Sequence, residues 1–235
     1  MRKCMSRYEV LIFDADETLF DYTRGQAYAL EKSLTKVGIV FDPIGHIDLY
    51  KHINDRLWKE LEDGKIDRAA LRNERFKLVL DEIGCTSADP AAVSDDYLNE
   101  LGNAGFMIDG AIVLLEELHK HFRLALLTNG FSQVQHGRIA RTNTAVFFDA
   151  IVISEEVGCQ KPQREIFDLL LDELGHENRR NVLMIGDSLS SDITGGVNAG
   201  VDTCWYNPEG IQCPAEIVPT YIVDDYDGIR KIVLG

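Results

Sequence analysis

The apolar positions change their period twice along the chain. Residues 8–13, Tyr-Glu-Val-Leu-Ile-Phe, form a short run of strand formers that stops at Asp14. An apolar run closed by polar residues predicts a buried parallel strand. Between residues 22 and 105 the spacing becomes three and four. Ala27, Leu30, Leu34 and Val37 mark one helix that Gly38 stops, and Ile47, Tyr50, Ile53, Leu57 and Leu61 mark a second ending near Gly64. Asp67 is placed to cap a third helix through Ile83. Asp89 followed by Pro90 opens a fourth that carries Val93, Tyr97 and Leu101.

From Asp109 onward helices and apolar strands alternate. Helices are predicted over 109–121, 131–142, 163–174 and 190–199, and strands over 124–128, 150–154, 182–186, 203–207 and 221–225. This alternation implies right-handed crossovers, hence an α/β fold with a doubly wound, mostly parallel sheet. The first strand precedes the helical stretch. Residues 22–105 are therefore expected to be an all-helical insert in an α/β body made of residues 1–21 and 106–235, with Gly102 to Gly105 as the return.

Composition fits this plan. The 235 residues amount to about 1.6 typical domain lengths. Acidic residues number 39 and basic residues 24, a formal net charge of −15. Polyanions are held largely by Lys and Arg on their phosphates, so this balance argues against a nucleic-acid polymer as partner. A small anion can still be held by a local lysine or metal. The insert holds 15 acids and 11 bases and the remainder 24 and 13, so the acidity lies mainly in the α/β body. Five scattered cysteines (Cys4, Cys85, Cys159, Cys204, Cys213) without a CxxC pair read as reduced thiols rather than a zinc site or redox dithiol. The apolar run after the basic N-terminus is too short for a signal peptide, and no segment reads as a membrane span. The expectation is a cytoplasmic protein without a membrane partner, with Met5 as an alternative start to Met1.

Ligands of an open parallel sheet bind beyond the carboxyl ends of its strands. Four such ends carry polar residues here: Asp14-Ala15-Asp16-Glu17-Thr18, then Thr128-Asn129-Gly130, then a loop reaching Lys161-Pro162, then Gly186-Asp187-Ser188 with Asp192 beyond it. Singly, each reads equally well as a cap or turn. Their shared position does not. In an extended segment, residues two apart point the same way, so Asp14 and Asp16 are expected to face one pocket. Adding Asp187 crowds three carboxylates, a conflict that a hard cation relieves; Mg²⁺ suits few carboxylates, several waters and a substrate phosphate. Lys161, Thr128 and the Asn129 backbone add a positive charge and hydrogen bonds suited to a phosphoryl group. The remaining carboxylates offer a nucleophile and a general acid/base.

These four segments, in this order, resemble the four motifs of the haloacid dehalogenase (HAD) superfamily over essentially the whole chain. The resemblance implies that residues 22–105 are a cap domain. It further implies that Asp14 is a nucleophile forming an aspartyl-phosphate and Asp16 its general acid/base. Mg²⁺ is then bound by Asp14, the Asp16 backbone carbonyl and Asp187, with Asp192 in support, and the phosphoryl group by Thr128, Asn129 and Lys161. The carboxylate at Asp16 is a feature of the phosphatase and phosphomutase branches and is lacking in the dehalogenases. The wording DADETLF (14–20), TNGF (128–131), ISEEVGCQKP (153–162), SDITGGVNAG (191–200) and TCWYNP (203–208) is similar to the bacterial pyrimidine 5′-nucleotidase group, which implies house-cleaning hydrolysis of nucleoside 5′-monophosphates. The alternatives are a phosphatase for phosphoglycolate or a sugar phosphate, a phosphomutase, or a non-catalytic relative. The partners expected are a small phosphomonoester and at most a second copy of the chain, as monomer or homodimer. Closure of the cap over the site is a further expectation.

Outside the motifs, Trp58 reads as helix core or as a surface for a nucleobase to stack on, and Phe20, Tyr22 and Phe131 lie near the expected entrance. Cys159 stands two residues before Lys161, where oxidant sensitivity is conceivable. His119 and His121 suit a helix C-terminus, and the other histidines show no ligand spacing. Gly195, Gly196 and Gly200 suit close helix–sheet packing, not a dinucleotide fingerprint.

Overall fold

In β1 (Val10–Phe13), Val10 and Ile12 enter one core and Leu11 and Phe13 the other, so the strand is buried on both faces. This is why its sequence reads as an unbroken apolar run. The computed structural model describes residues 6–235; Cys4 and the starts Met1 and Met5 lie outside them. The other strands are β2 (Arg123–Thr128), β3 (Ala150–Ile153), β4 (Val182–Gly186), β5 (Asp202–Tyr206) and β6 (Tyr221–Val223). They form one sheet in the order β3-β2-β1-β4-β5-β6, with every neighbouring pair parallel. After β3 the chain crosses to the far side of β1. The carboxyl ends of β1 and β4 therefore flank a topological switch point, the place where such sheets bind ligands.

Two compact units emerge, one of residues up to Tyr22 plus Phe106–Gly235, the other Thr23–Gly105. The second unit contains α1 (Tyr22–Lys36, from its second residue), α2 (Gly45–Glu62), α3 (Arg68–Ile83) and α4 (Pro90–Asn103). Asp67 caps α3 by accepting from the Ala70 N–H at 2.7 Å, and Asp89 caps α4 ahead of Pro90. Its interior centres on Tyr50, Phe76 and Tyr97, with ring centroids 5.1 to 5.6 Å apart. The buried face of α1 differs from the expected one. Gly25, Gln26, Ala29, Leu30, Ser33 and Leu34 point inward, while Ala27 and Val37 are half-buried. A Cβ at Gly25 would stand 3.3 Å from Leu101, so α1 meets α4 through small residues. Trp58 is half-buried, with the Arg68 guanidinium 5.8 Å from its ring centre.

In the first unit, α5 (Ala111–Leu118), α6 (Ser132–Thr142), α7 (Ser154–Val157), α8 (Arg164–Glu173), α9 (Thr194–Ala199) and α10 (Tyr226–Leu234) surround the sheet. Leu114, Leu115 and Leu118 of α5 and Ile229 and Val233 of α10 share one core with Leu11, Leu124 and Ile185. Ile166, Phe167, Leu170 and Leu171 of α8 and Ala199 of α9 share the other with Val10, Leu127 and Met184. The sheet is thus covered on both faces, the doubly wound arrangement.

Two elements depart from the sequence reading. The strand expected over 221–225 stops at Val223: Asp225 accepts from the Gly228 N–H at 2.7 Å and opens α10. The helix expected over 190–199 begins as a wide π-type turn, Leu189–Ile193, before α9. The cause is local competition for hydrogen bonds. The Ser188 N–H donates to Asp192 Oδ2 at 3.0 Å, and the Thr194 hydroxyl donates to the Leu189 carbonyl at 2.8 Å. A Cβ at Gly195 would stand 2.8 Å from Phe167, and one at Gly196 would stand 2.5 Å from Thr203, so these two residues admit α9 close to its neighbours. Gly200 has no such neighbour; it ends α9 in the left-handed region at φ +74°. No helix among the described residues is long and apolar enough to cross a membrane.

Candidate active site

The geometry centres on an ammonium group. Lys161 is 1% exposed, and its Nζ donates to Asp14 Oδ1 at 2.5 Å, to Asp192 Oδ1 at 2.7 Å and to the Leu127 carbonyl at 2.7 Å. All three of its donors are used, as a buried lysine requires. Burial works against its charge, but Asp14 and Asp192 outweigh that and lift its pKa. The backbone before it is held from β2: the Asn129 side chain accepts from the Lys161 N–H and donates to the Lys161 carbonyl, both at 2.9 Å. The Asn129 side chain thereby ties the lysine loop to the end of β2. Thr128 is buried at the end of β2, where its hydroxyl oxygen accepts from the Gly130 N–H at 3.1 Å.

Asp14 follows β1 directly, and its N–H donates to the Ile185 carbonyl of β4 at 2.9 Å. Asp14, Asp187 and Asp192 offer oxygens within 4.8 Å of one another. Burial, with the neighbouring acids adding to it, pushes the Asp14 carboxyl up to about 7 although Lys161 pulls it down. Burial beside Asp14 and Asp192 pushes Asp187 up to about 9. Three carboxylates thus share one lysine, an excess of negative charge that a divalent cation with oxygen ligands fits. Both Asp192 oxygens are already engaged, Oδ1 by Lys161 and Oδ2 by the Ser188 N–H. Asp192 reaches this place because residue 186 is glycine; a Cβ there would stand 2.2 Å from Asp192 Oδ2.

Asp16 lies outside that acidic group. Its half-buried carboxylate accepts from Gln135 Nε2 at 3.0 Å and stands 2.6 Å from Arg138 Nη2. The next residue, Glu17, turns the loop with φ +54°, a conformation unusual for a side chain of its size.

Several supporting residues escaped the sequence reading. Trp205 Nε1 donates to the Asp187 carbonyl at 2.7 Å, the Asp187 N–H donates to the Thr18 hydroxyl at 3.1 Å, and the Tyr226 hydroxyl donates to the Thr18 carbonyl at 2.8 Å. Tyr226 in turn stacks on Tyr206 with ring centroids 5.3 Å apart. Trp205 and Tyr206 lie in the quoted TCWYNP segment, where an indole and a phenol at a strand's carboxyl end were the available signal. Gln135 and Arg138 had a signal too, as polar residues three apart on the face of α6 that carries Val134 and Ile139 inward. Phe131 is buried where α6 begins, a core position. Burial and Glu165 push the Cys159 thiol up, which disfavours the reactive thiolate.

Comparison with known proteins agrees with this arrangement. Residues 8–200 match the model of the haloacid dehalogenase-like hydrolase family. The chain is 34% identical over 230 residues to the pyrimidine 5′-nucleotidase YjjG of Escherichia coli, covering 97% of this chain and 98% of that protein. It is 34% identical over 223 residues to the pyrimidine 5′-nucleotidase PynA of Streptococcus pneumoniae, covering 94% and 93%. Among solved structures, the magnesium-bound HAD-hydrolase YfnB of Bacillus subtilis superposes with a TM-score of 0.91 at 36% identity, over 97% of this chain and 99% of that one.

Proposed function

The chain belongs to the haloacid dehalogenase-like hydrolase family, and from that premise we propose that it hydrolyses small phosphomonoesters, with nucleoside 5′-monophosphates as its substrates. The observation that carries this reading is the clustering of Asp14, Asp187 and Asp192 beyond the carboxyl ends of β1 and β4, with Asp14 and Asp192 both bonded to the buried Lys161. The nucleotide preference draws support from YjjG and PynA, full-length relatives that are pyrimidine 5′-nucleotidases.

In this reading Asp14 attacks phosphorus. An Asp14 oxygen–phosphorus bond forms, the bond from phosphorus to the ester oxygen breaks, and Asp16 gives its proton to that departing oxygen. Water then attacks the aspartyl-phosphate and passes a proton back to Asp16. Inorganic phosphate leaves, and both aspartates return to their starting states. Lys161 counters the charge on Asp14 and on the phosphoryl oxygens, while Thr128 and the Asn129 backbone lie beside it as donors. The donor set fits Mg²⁺: Asp14, the Asp16 backbone carbonyl and Asp187 would hold it, and it would supply the positive charge that lets a phosphate dianion approach a carboxylate. Asp192 acts by fixing Lys161. Residues 22–105 form the cap, and substrate choice is assigned to that insert.

The test is phosphate release from a panel of nucleoside monophosphates, sugar phosphates and phosphoglycolate, with and without EDTA. Nucleotides are expected to be turned over best, and chelation to abolish release. Asp14→Asn is expected to fold and to lose turnover. Wild-type-like hydrolysis by that variant would refute the assignment of Asp14, and sugar phosphates matching nucleotides would refute the nucleotidase reading.

A further inference from the structure

Asp16 has a buried polar partnership that the acidic group does not share. Gln135 and Arg138 lie one turn apart on α6, and both side chains are essentially inaccessible to water. An arginine in such a place is costly unless an anion accompanies it, and the anion here is Asp16, with Nη2 to Oδ1 at 2.6 Å. Gln135 Nε2 donates to the other oxygen, Oδ2, at 3.0 Å. The guanidinium also lies 4.8 Å from the centre of the Phe20 ring, while its Nε is buried without a hydrogen-bond partner. Gly130 leaves room for the amide: a Cβ there would stand 2.1 Å from Gln135 Nε2.

The two partners act differently. The Gln135 contact is a directed hydrogen bond. The Arg138 contact is close, but neither Asp16 Oδ1 nor Arg138 Nη2 satisfies hydrogen-bond geometry, so its attraction is that of charge without a fixed direction. The amide therefore sets where the carboxylate points, and the guanidinium meets its charge.

We propose that Gln135 and Arg138 are positioning residues that clamp Asp16 for its proton transfers. The inference rests on the phosphatase reading above. When Asp16 gives its proton to the departing ester oxygen, a half-buried carboxylate is left beside two partners that water does not reach. Donors already in place there lower the barrier because they need no reorganisation at that moment.

A leaving group that needs protonation reports on this directly. A nucleoside 5′-monophosphate expels an alkoxide, which needs the proton; p-nitrophenyl phosphate expels a phenolate, which does not. General acids contribute about 10²–10⁴ in rate, so Gln135→Met and Arg138→Met are expected to lose about tenfold or more on the nucleotide in kcat/KM, which covers only the steps through aspartyl-phosphate formation. On the aryl phosphate they should lose little, and Arg138→Lys should recover part of the nucleotide rate. A purely structural role would lower both substrates alike, and equal losses, or none, in variants that retain the wild-type Tm would overturn the clamp. Should Arg138→Met fail to fold, Gln135→Met carries the same comparison. Asp16→Asn is the reference. If it shows the leaving-group bias and the two clamp variants do not, the clamp is overturned and the phosphatase reading stands. If it shows no bias, Asp16 is not the acid, and the clamp falls with it.

Discussion

Two carboxyl groups carry most of the site's electrostatic tension. Asp14 is pushed up to about 7 and Asp187 to about 9, in each case first by burial and then by neighbouring acids. Unfolded, both ionise near the ordinary carboxylate value of about 4. Between that value and the raised ones the folded chain holds more protons than the unfolded chain, so its stability falls as pH rises through this window. Magnesium held there as proposed would require the deprotonated groups and work in the opposite direction. Metal-free protein is therefore expected to lose Tm between about pH 5 and pH 9. The Tm gain from added Mg²⁺ should grow over the same range. Thermal unfolding with and without Mg²⁺ at several pH values checks both. A gain that does not change with pH would mean that Asp14 and Asp187 are not the groups the cation meets.

At the scale of elements, the close approach of α9 to the sheet gives a measurable consequence. A methyl at Gly196 would meet Thr203 Cγ2 at 2.5 Å and Met184 Cβ at 3.3 Å, inside a core without slack. Overpacking of this kind costs about 1–3 kcal/mol. Gly196→Ala should therefore unfold at distinctly lower denaturant, whereas Val197→Ala next to it, at a residue 56% exposed, should not. Similar midpoints for the two variants would show that α9 shifts to accommodate the methyl. The strands were legible to within a residue or two because strands buried on both faces must be continuously apolar, as β1 and β4 are. Asp14, Thr128 and Asp187 were legible because each stands at a strand's carboxyl end, whereas Lys161 follows α7 and Asp192 lies in the turn after β4. The π-type turn was not, since it arises from Ser188 and Asp192 competing for backbone hydrogen bonds, which periodicity does not register. Nor was α10, whose capping residue Asp225 closes what reads as strand. The Gln135–Arg138–Asp16 contact and the Tyr226–Thr18 bond join residues far apart in sequence, and Trp205 reaches Asp187 across 18 residues from a neighbouring strand. Such pairings become visible only when the sheet order is known.

For the whole molecule, the balance of 39 acidic against 24 basic residues sets a constraint that the site does not share. Asp14, Asp16, Asp187 and Asp192 are a small part of that acidity, and the phosphoryl site is made locally attractive by Lys161 and the cation it is proposed to share. Field and site therefore favour different ligands. A mononucleotide brings one phosphate, which the proposed site would neutralise, while an oligonucleotide brings further phosphates that meet the field of a chain with a net charge of −15. A 5′-phosphorylated oligonucleotide is accordingly expected to be a much poorer substrate than the corresponding mononucleotide at low ionic strength. The Debye length falls from about 30 Å at 0.01 M salt to about 8 Å at 0.15 M, so added salt should screen the repulsion and narrow the gap. The check is kcat/KM for both substrates as a function of NaCl. A gap that stays constant with salt would assign the discrimination to the shape of the pocket rather than to the charge of the molecule, and a gap that widens would contradict the electrostatic argument.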